Sequence, residues 1–331
     1  MDMKRWLEDL KVNKHVLPIL SFPVVQLLDC SLKDFLNDST LQAQGIQLVS
    51  ERCHTGIGLG IMDLSIEAEC FGAKIRFEDN EIPTVVGALI EDECDIETPD
   101  IIKRAKVYVE TIKKTKLFMK DKPVFAGIIG PFSLCGRLLD VSEALALCYE
   151  EPDLVHQVLK VSTEFLMKYA KALKEAGADG IIMAEPLAGI LSPSLVQEFS
   201  SDYVKMIVEE LQNDEFIIIY HNCGNNVTKM IDSIISTKCA AYHFGNAISM
   251  KEALKQIPSH ELIMGNIDPV GILKDGNPTL VKEAVHHLME ECQEYDNFIL
   301  SSGCDIPCLT PWENIDCFIQ VGNQYYEKNN S

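Results

Sequence analysis

The sequence predicts an α/β fold, a single (β/α)8 TIM barrel. Three observations carry this. Eight short runs are apolar on both faces and end in Gly, Asn, Pro or Asp, as strands buried on both sides of a parallel sheet do. Amphipathic helical stretches separate them. Several helix starts carry a capping side chain followed by proline, the expected punctuation. Strand–helix alternation closing at eight is the pattern of the barrel; an open doubly wound sheet is the competing arrangement.

In chain order, residues 1–15 form an N-terminal helix that begins with the charged, amphipathic MDMKRWLEDLK. VLPILSF at 16–22 is the first strand and GIGLGIM at 56–62 the second. Residues 74–98 make an extended excursion between the second and third strands, before a helix at 99–120. VFAGIIG at 124–130 is the third strand. Leu154, Val158, Val161, Phe165, Met167 and Leu173 recur at helical spacing over 151–176, and Gly177 ends that helix. DGIIMA at 179–184 is the fourth strand, and Ser192-Pro193 opens a helix over 193–212. EFIIIYH at 215–221, CAAYHFG at 239–245 and HELIMGN at 260–266 follow as strands five to seven. Asn277-Pro278 opens the helix at 278–294, NFILSSG at 297–303 is the eighth strand, and Thr310-Pro311 opens the helix at 311–327. Residues 1–331 therefore read as one barrel domain.

Composition narrows the function. The chain has 331 residues, 47% hydrophobic and 24% charged, enough to build a sizeable core. Its 29 basic and 50 acidic residues leave a net charge of −21, which disfavours nucleic acid and anionic membranes as partners. No uncharged apolar run reaches the roughly 18–20 residues of a membrane span. Twelve cysteines without an apolar signal region point to free thiols in a reducing cytoplasm. GIGLG at 56–60 lacks the GxGxxG register and no GxxxxGK[ST] occurs, so nucleotide binding has no support.

Barrel chemistry sits at the C-terminal strand ends. Those ends hold Glu185, His221, Cys223, His243, Asn266, Asp268 and Cys304. His221 and Cys223 are two apart, so extended backbone points both side chains to one side. Cys304 reaches the same rim from the last strand. One imidazole and two thiolates form a soft set suited to Zn2+, with a fourth position open; with twelve cysteines, spacing by itself also allows plain rim residues. Glu185 is the candidate catalytic proton shuttle or fourth ligand, or a helix-capping carboxylate. Asn266, Asp268 and His243 are candidates for holding or orienting a cofactor; Asp268 before Pro269 is equally a turn residue. Glu67 and Glu69 could line the mouth or start a helix.

HNCGN at 221–225, GNIDP at 265–269 and SSGCDIPCLTPWENI at 301–315 resemble the uroporphyrinogen decarboxylase superfamily. IEAECFGAKI at 66–75, GPFSL at 130–134 and AEPLAGILSP at 184–193 match as well, and the resemblance spans about residues 16–325. The His-x-Cys and Gly-Cys pair is similar to its zinc-dependent branch, which moves methyl groups between corrinoid proteins and thiols such as coenzyme M. The resemblance implies zinc on His221, Cys223 and Cys304. It also implies a corrinoid (methylcobalamin) carried on a partner protein, since no second domain remains to hold one, and a small thiol or methylated small molecule as the other partner. The alternative is a decarboxylase relative or a non-catalytic tetrapyrrole- or corrinoid-binding barrel. The decarboxylases carry an Arg-Gln-Ala-Gly-Arg segment after the first strand; here SFPVVQLLDC contains no arginine.

Overall fold

A computed structural model describes residues 1–90 and 96–329. Residues 91–95 of the expected 74–98 excursion, and the last two of the 331, lie outside the described residues.

Seven strands form one parallel sheet: β1 (Gly58–Leu59), β4 (Val124–Ile129), β5 (Gly180–Ala184), β6 (Ile217–Asn222), β7 (Ala241–Phe244), β8 (Leu262–Ile267) and β9 (Phe298–Ser302). They pair in that order, each with the next in the chain, as a curled barrel sheet requires. A separate antiparallel hairpin, β2 (Lys74–Arg76) with β3 (Thr84–Val86), is built from the first half of the excursion.

The first expected strand, 16–22, is the correction. It joins no ladder. Pro18 has no N–H to give, and neighbouring donors go to side chains: Val16 N–H to Asn323 Oδ1, Ile19 N–H to Ser302 Oγ and Ser21 N–H to Asp305. Only Leu17 N–H reaches a strand carbonyl, that of Leu300, at 3.1 Å. The segment runs extended along β9 and touches the β1 side where Met62 N–H meets Ser21 Oγ at 3.4 Å. It takes the eighth position without being a regular strand.

The helices follow the sequence signals closely. They run Lys103–Phe118, Pro152–Glu175, Pro278–Cys292 and Trp312–Asn329. Asn277 caps its helix by accepting from Thr279 and Leu280 N–H. The expected 193–212 helix is Pro193–Val196 and Asp202–Leu211 joined by a π-turn, Gln197–Ser201.

Alternation along the strands sorts two cores. One lies between sheet and helices, with Phe132, Phe165, Tyr169, Ile218 and Tyr220. The other fills the barrel with Phe125, Ile182, Ile217, Ile219, Met264 and Ile299. The N-terminal helix, Met3–Val12, adds buried Met3 and Leu10 to that inner core, and Trp6 meets Phe125 at 5.5 Å between ring centroids. Beyond this apolar plug the same inward phase places different chemistry.

Candidate metal centre

Ile217, Ile219 and His221 alternate along β6, so His221 is the next inward residue after two that pack the barrel. In register, His221 pairs with His243 on β7. Two residues past Ile299 on β9 stands Ser301. These three side chains form a chain of hydrogen bonds. His221 Nδ1 lies 2.8 Å from His243 Nδ1, and His243 Nε2 lies 2.8 Å from Ser301 Oγ. Burial, then the neighbouring His221, pushes the His243 pKa well below the usual histidine range, so it stays a neutral imidazole. If His221 donates from Nδ1, its Nε2 lone pair is left free toward the mouth.

That nitrogen faces sulfur. Cys304 Sγ is 3.6 Å from His221 Nε2. The donor atoms of His221, Cys223 and Cys304 all lie within 4.8 Å of one another. Cys223 is pulled well below the ordinary thiol range, chiefly by a hydrogen bond from Cys304 and further by His221, while the same bond raises Cys304. Cys223 is therefore the readier thiolate of the two. Gly245 makes this approach possible: a Cβ there would lie 2.6 Å from both Cα and Cβ of Cys223.

The set fits a soft divalent ion. Zn–S bonds of about 2.3 Å and a Zn–N bond of about 2.0–2.1 Å at a tetrahedral angle put sulfur and nitrogen about 3.5 Å apart, close to the observed spacing. Three protein donors would leave a fourth position of such an ion open, as catalytic zinc sites do. It opens into a cavity of about 220 Å3 at the mouth, lined by Ile19, Met62, Leu64, Ile82 and Pro83 together with Arg137 and Asp305. Asp305 accepts from Ser21 N–H and Oγ–H, and burial raises its carboxyl to about 7.

The remaining candidates turn elsewhere. Glu185 is fully buried, with both oxygens committed to the start of the helix Pro131–Leu139 and to Ser200. Phe132 and Ser133 N–H each donate to it at 2.9 Å and Ser133 Oγ at 2.6 Å. It caps that helix across the strand end and makes no hydrogen bond to the sulfur cluster, which corrects its expected place as shuttle or ligand. Asn266 spends its amide on the carbonyls of Gly245 and Ile248, pinning the loop after β7. Asp268 accepts from Val270 and Gly271 N–H and starts the turn Pro269–Lys274. Neither reaches into the cavity, so a direct cofactor contact gives way to loop anchoring. Glu69 pairs with Arg104 at 2.9 Å. Glu67 is buried, accepting from Ile129 N–H at 3.0 Å. The sequence reading passed over Arg137, Asp305 and Ser301. One signal for Arg137 was available: it is the single charge in the apolar PFSLCGRLL.

A family model described as Uroporphyrinogen decarboxylase (URO-D) matches residues 26–325. The chain belongs to this family. Among URO-D relatives, a methylcobamide:CoM methyltransferase of Methanosarcina acetivorans is 26% identical over 295 residues, 86% of this chain and 85% of the relative. A uroporphyrinogen decarboxylase of Coxiella burnetii is also 26% identical, but over 192 residues, 56% of this chain and 52% of that enzyme. The solved structure of a methyltransferase from Methanosarcina mazei superposes with a TM-score of 0.87 over 97% of this chain and 98% of that one, at 22% identity; this likeness speaks to the fold.

Proposed function

We propose that this URO-D family chain is a methyltransferase. It moves a methyl group between a corrinoid carried on a separate protein and a small thiol, with zinc held by His221, Cys223 and Cys304. The observation that carries the reading is the His-Cys-Cys cluster at the open barrel mouth. The long match to a methylcobamide:CoM methyltransferase supports it. Zinc bound there supplies Lewis acidity, which lowers the pKa of a thiol at the open position.

The chain's own groups do the rest. Cys223 and Cys304 as thiolates balance a dication, so a substrate thiolate keeps its nucleophilicity near pH 7. His243 and Ser301 hold His221 in one tautomer and orientation. Ile19, Met62 and Leu64 exclude water beside the reacting sulfur. The cavity, about 220 Å3, is below the ~300–1,000 Å3 of drug-sized pockets, so the corrinoid approaches from outside rather than being swallowed. A decarboxylase of an octacarboxylate lacks support: of the described residues lining the cavity only Arg137 is an arginine, and residues 21–30 contain none. All eleven described cysteines are free, which suits a reducing cytoplasm, and no helix among the described residues is long and apolar enough to cross a membrane. The same reading treats residues 1–331 as one catalytic domain.

Metal analysis and a methyl-transfer assay test this directly. Purified protein should carry near-stoichiometric zinc and transfer methyl from methylcobalamin to a thiol in a panel of small thiols. Cys223→Ser and Cys304→Ser should each lose most zinc and activity. Full zinc retention in both variants would show the ligands misassigned; no turnover of any thiol by zinc-loaded protein would reject the thiol substrate.

A further inference from the structure

Cys223 is the first residue beyond β6, and Asn222 is the last one in it. Asn222 is fully buried and takes the opposite face from its neighbours His221 and Cys223. On that face its side chain makes two bonds. Oδ1 accepts the N–H of Gly224 at 2.9 Å, which closes a turn around Cys223. Nδ2 donates to Tyr220 Oη at 3.0 Å. A backbone N–H can only donate, so Oδ1 must face Gly224 and Nδ2 must face Tyr220. Tyr220 is itself immobilised in the core between sheet and helices, 6.3 Å from the ring of Tyr242. The turn is enclosed on both sides. A Cβ at Gly189 would lie 2.3 Å from Asn222 Oδ1 and 2.6 Å from Gly224 Cα, so the loop after β5 closes directly over the bond. Asn226 N–H donates to the Gly189 carbonyl at 3.3 Å, and Gly245 N–H donates to the Asn222 carbonyl at 3.0 Å. A side-chain bond shut away from water in this way is not exchanged for a solvent bond and keeps one geometry.

We propose that Asn222, oriented by Tyr220, is the positioning residue that holds the Cys223 sulfur beside Cys304 and His221. This rests on the reading of those three side chains as metal ligands. His221 lies within β6 and is steadied by His243. Cys223 lies one residue past the strand, and the turn that Asn222 closes fixes its backbone. Without the bond to Gly224, the peptide after Cys223 is free to rotate and its thiol swings away from Cys304. Each residue of the HNCGN run then has a separate part. His221 and Cys223 point inward as donors, Asn222 braces them from the outer face, and Gly224 lets the backbone meet Gly189. A Cβ at Gly224 would lie 2.4 Å from Gly189 Cα, so that contact admits no side chain.

The test removes both bonds while keeping the volume. Asn222→Leu loses them. Asn222→Asp keeps an acceptor for Gly224 N–H and takes the Tyr220 hydroxyl proton on its second oxygen, so it should rescue. In metal-free protein, dibromobimane fluoresces when it joins two neighbouring thiols. It should bridge Cys223 to Cys304 in wild type and in Asn222→Asp, and lose most of that bridging in Asn222→Leu. Peptide mapping locates the bridge and circular dichroism checks the fold. Cobalt(II) titration gives a second reading. Apparent affinity should fall at least tenfold in Asn222→Leu, with weaker thiolate-to-cobalt charge-transfer absorption at saturation, and recover in Asn222→Asp. A purely structural role would lower the melting temperature and leave the spectrum of the loaded protein unchanged. No bridge in wild type, unchanged bridging in folded Asn222→Leu, or no rescue by Asn222→Asp overturns the proposal. If Asn222→Leu does not fold, Tyr220→Phe decides: reduced bridging upholds the proposal and unchanged bridging overturns it. Bridging that depends on Asn222 upholds it even where wild type takes up neither zinc nor cobalt, a result that would end the metal reading alone.

Discussion

His221 illustrates how much of this site lies behind the residue that faces outward. Its Nε2 meets the sulfurs because Nδ1 is bonded to His243, itself tied to Ser301. Glu67 makes a second residue-scale point. It is fully buried with Oε2 unpartnered, and burial pushes its carboxyl from 4.5 up to about 7. Between those values the folded chain holds a proton that the unfolded chain has lost. The stability from this group is full below about pH 4.5 and is lost as pH rises through 7. At about 1.36 kcal/mol per unit, the loss amounts to roughly 3 kcal/mol. Urea midpoints at pH 5 and pH 8 should therefore differ in wild type, and Glu67→Gln should shrink that difference. A pH dependence identical in the two proteins would show that Glu67 titrates normally.

Elements here are joined by polar side chains as much as by apolar faces. Arg104, in the helix Lys103–Phe118, bonds Asp63 in the loop after β1, Glu69 in the helix Ile66–Phe71 and Ser65 between them. It also lies 4.9 Å over the ring of Phe77, just past β2. Asp63 and Arg104 are both nearly inaccessible, so removing one partner strands a buried charge. Arg104→Ala should cost about 3–5 kcal/mol in chemical denaturation. Adding Asp63→Asn to that variant should recover part of the loss. A loss below about 1 kcal/mol for Arg104→Ala would mean that water reaches Asp63 and the network is worth no more than a surface pair. This network stands beside the β2–β3 hairpin, whose Ile82 and Pro83 form part of the cavity wall.

At the scale of the molecule, the barrel puts its reactive cluster at an open mouth and its apolar plug beneath it. The hairpin exposes Phe77, Ile82 and Val86 near that rim. A corrinoid brought by a protein can be oriented by the surface around the mouth, whereas free methylcobalamin must pay its own orientational entropy. Activity with a cognate methylated corrinoid protein should exceed that with free methylcobalamin by at least tenfold at equal corrinoid concentration. Equal rates would remove the carrier protein from the proposed function.

The alternation of apolar runs with amphipathic helices was enough to determine the barrel class and most helix limits, because burial on both strand faces leaves a direct trace in composition. The spacing of His221 and Cys223 likewise determined that both point one way, since strand geometry has a period of two. Residues 16–22 escaped this logic. An apolar run looks the same whether its N–H groups enter a ladder or, as here, go to Asn323, Ser302 and Asp305. Glu185, Asn266 and Asp268 stand at the right strand ends, yet a carboxylate or amide there can turn to the mouth or to a neighbouring loop. Only the position of the helix Pro131–Leu139 and of the loops after β7 and β8 decided that they turn away. Arg137 is the reverse case. In sequence it is one charge in an apolar helix; only the folded barrel brings it to the cavity wall and leaves its Nε without a hydrogen-bond partner among the described residues. Local pattern determines which face a side chain takes, while long-range packing decides what that face meets.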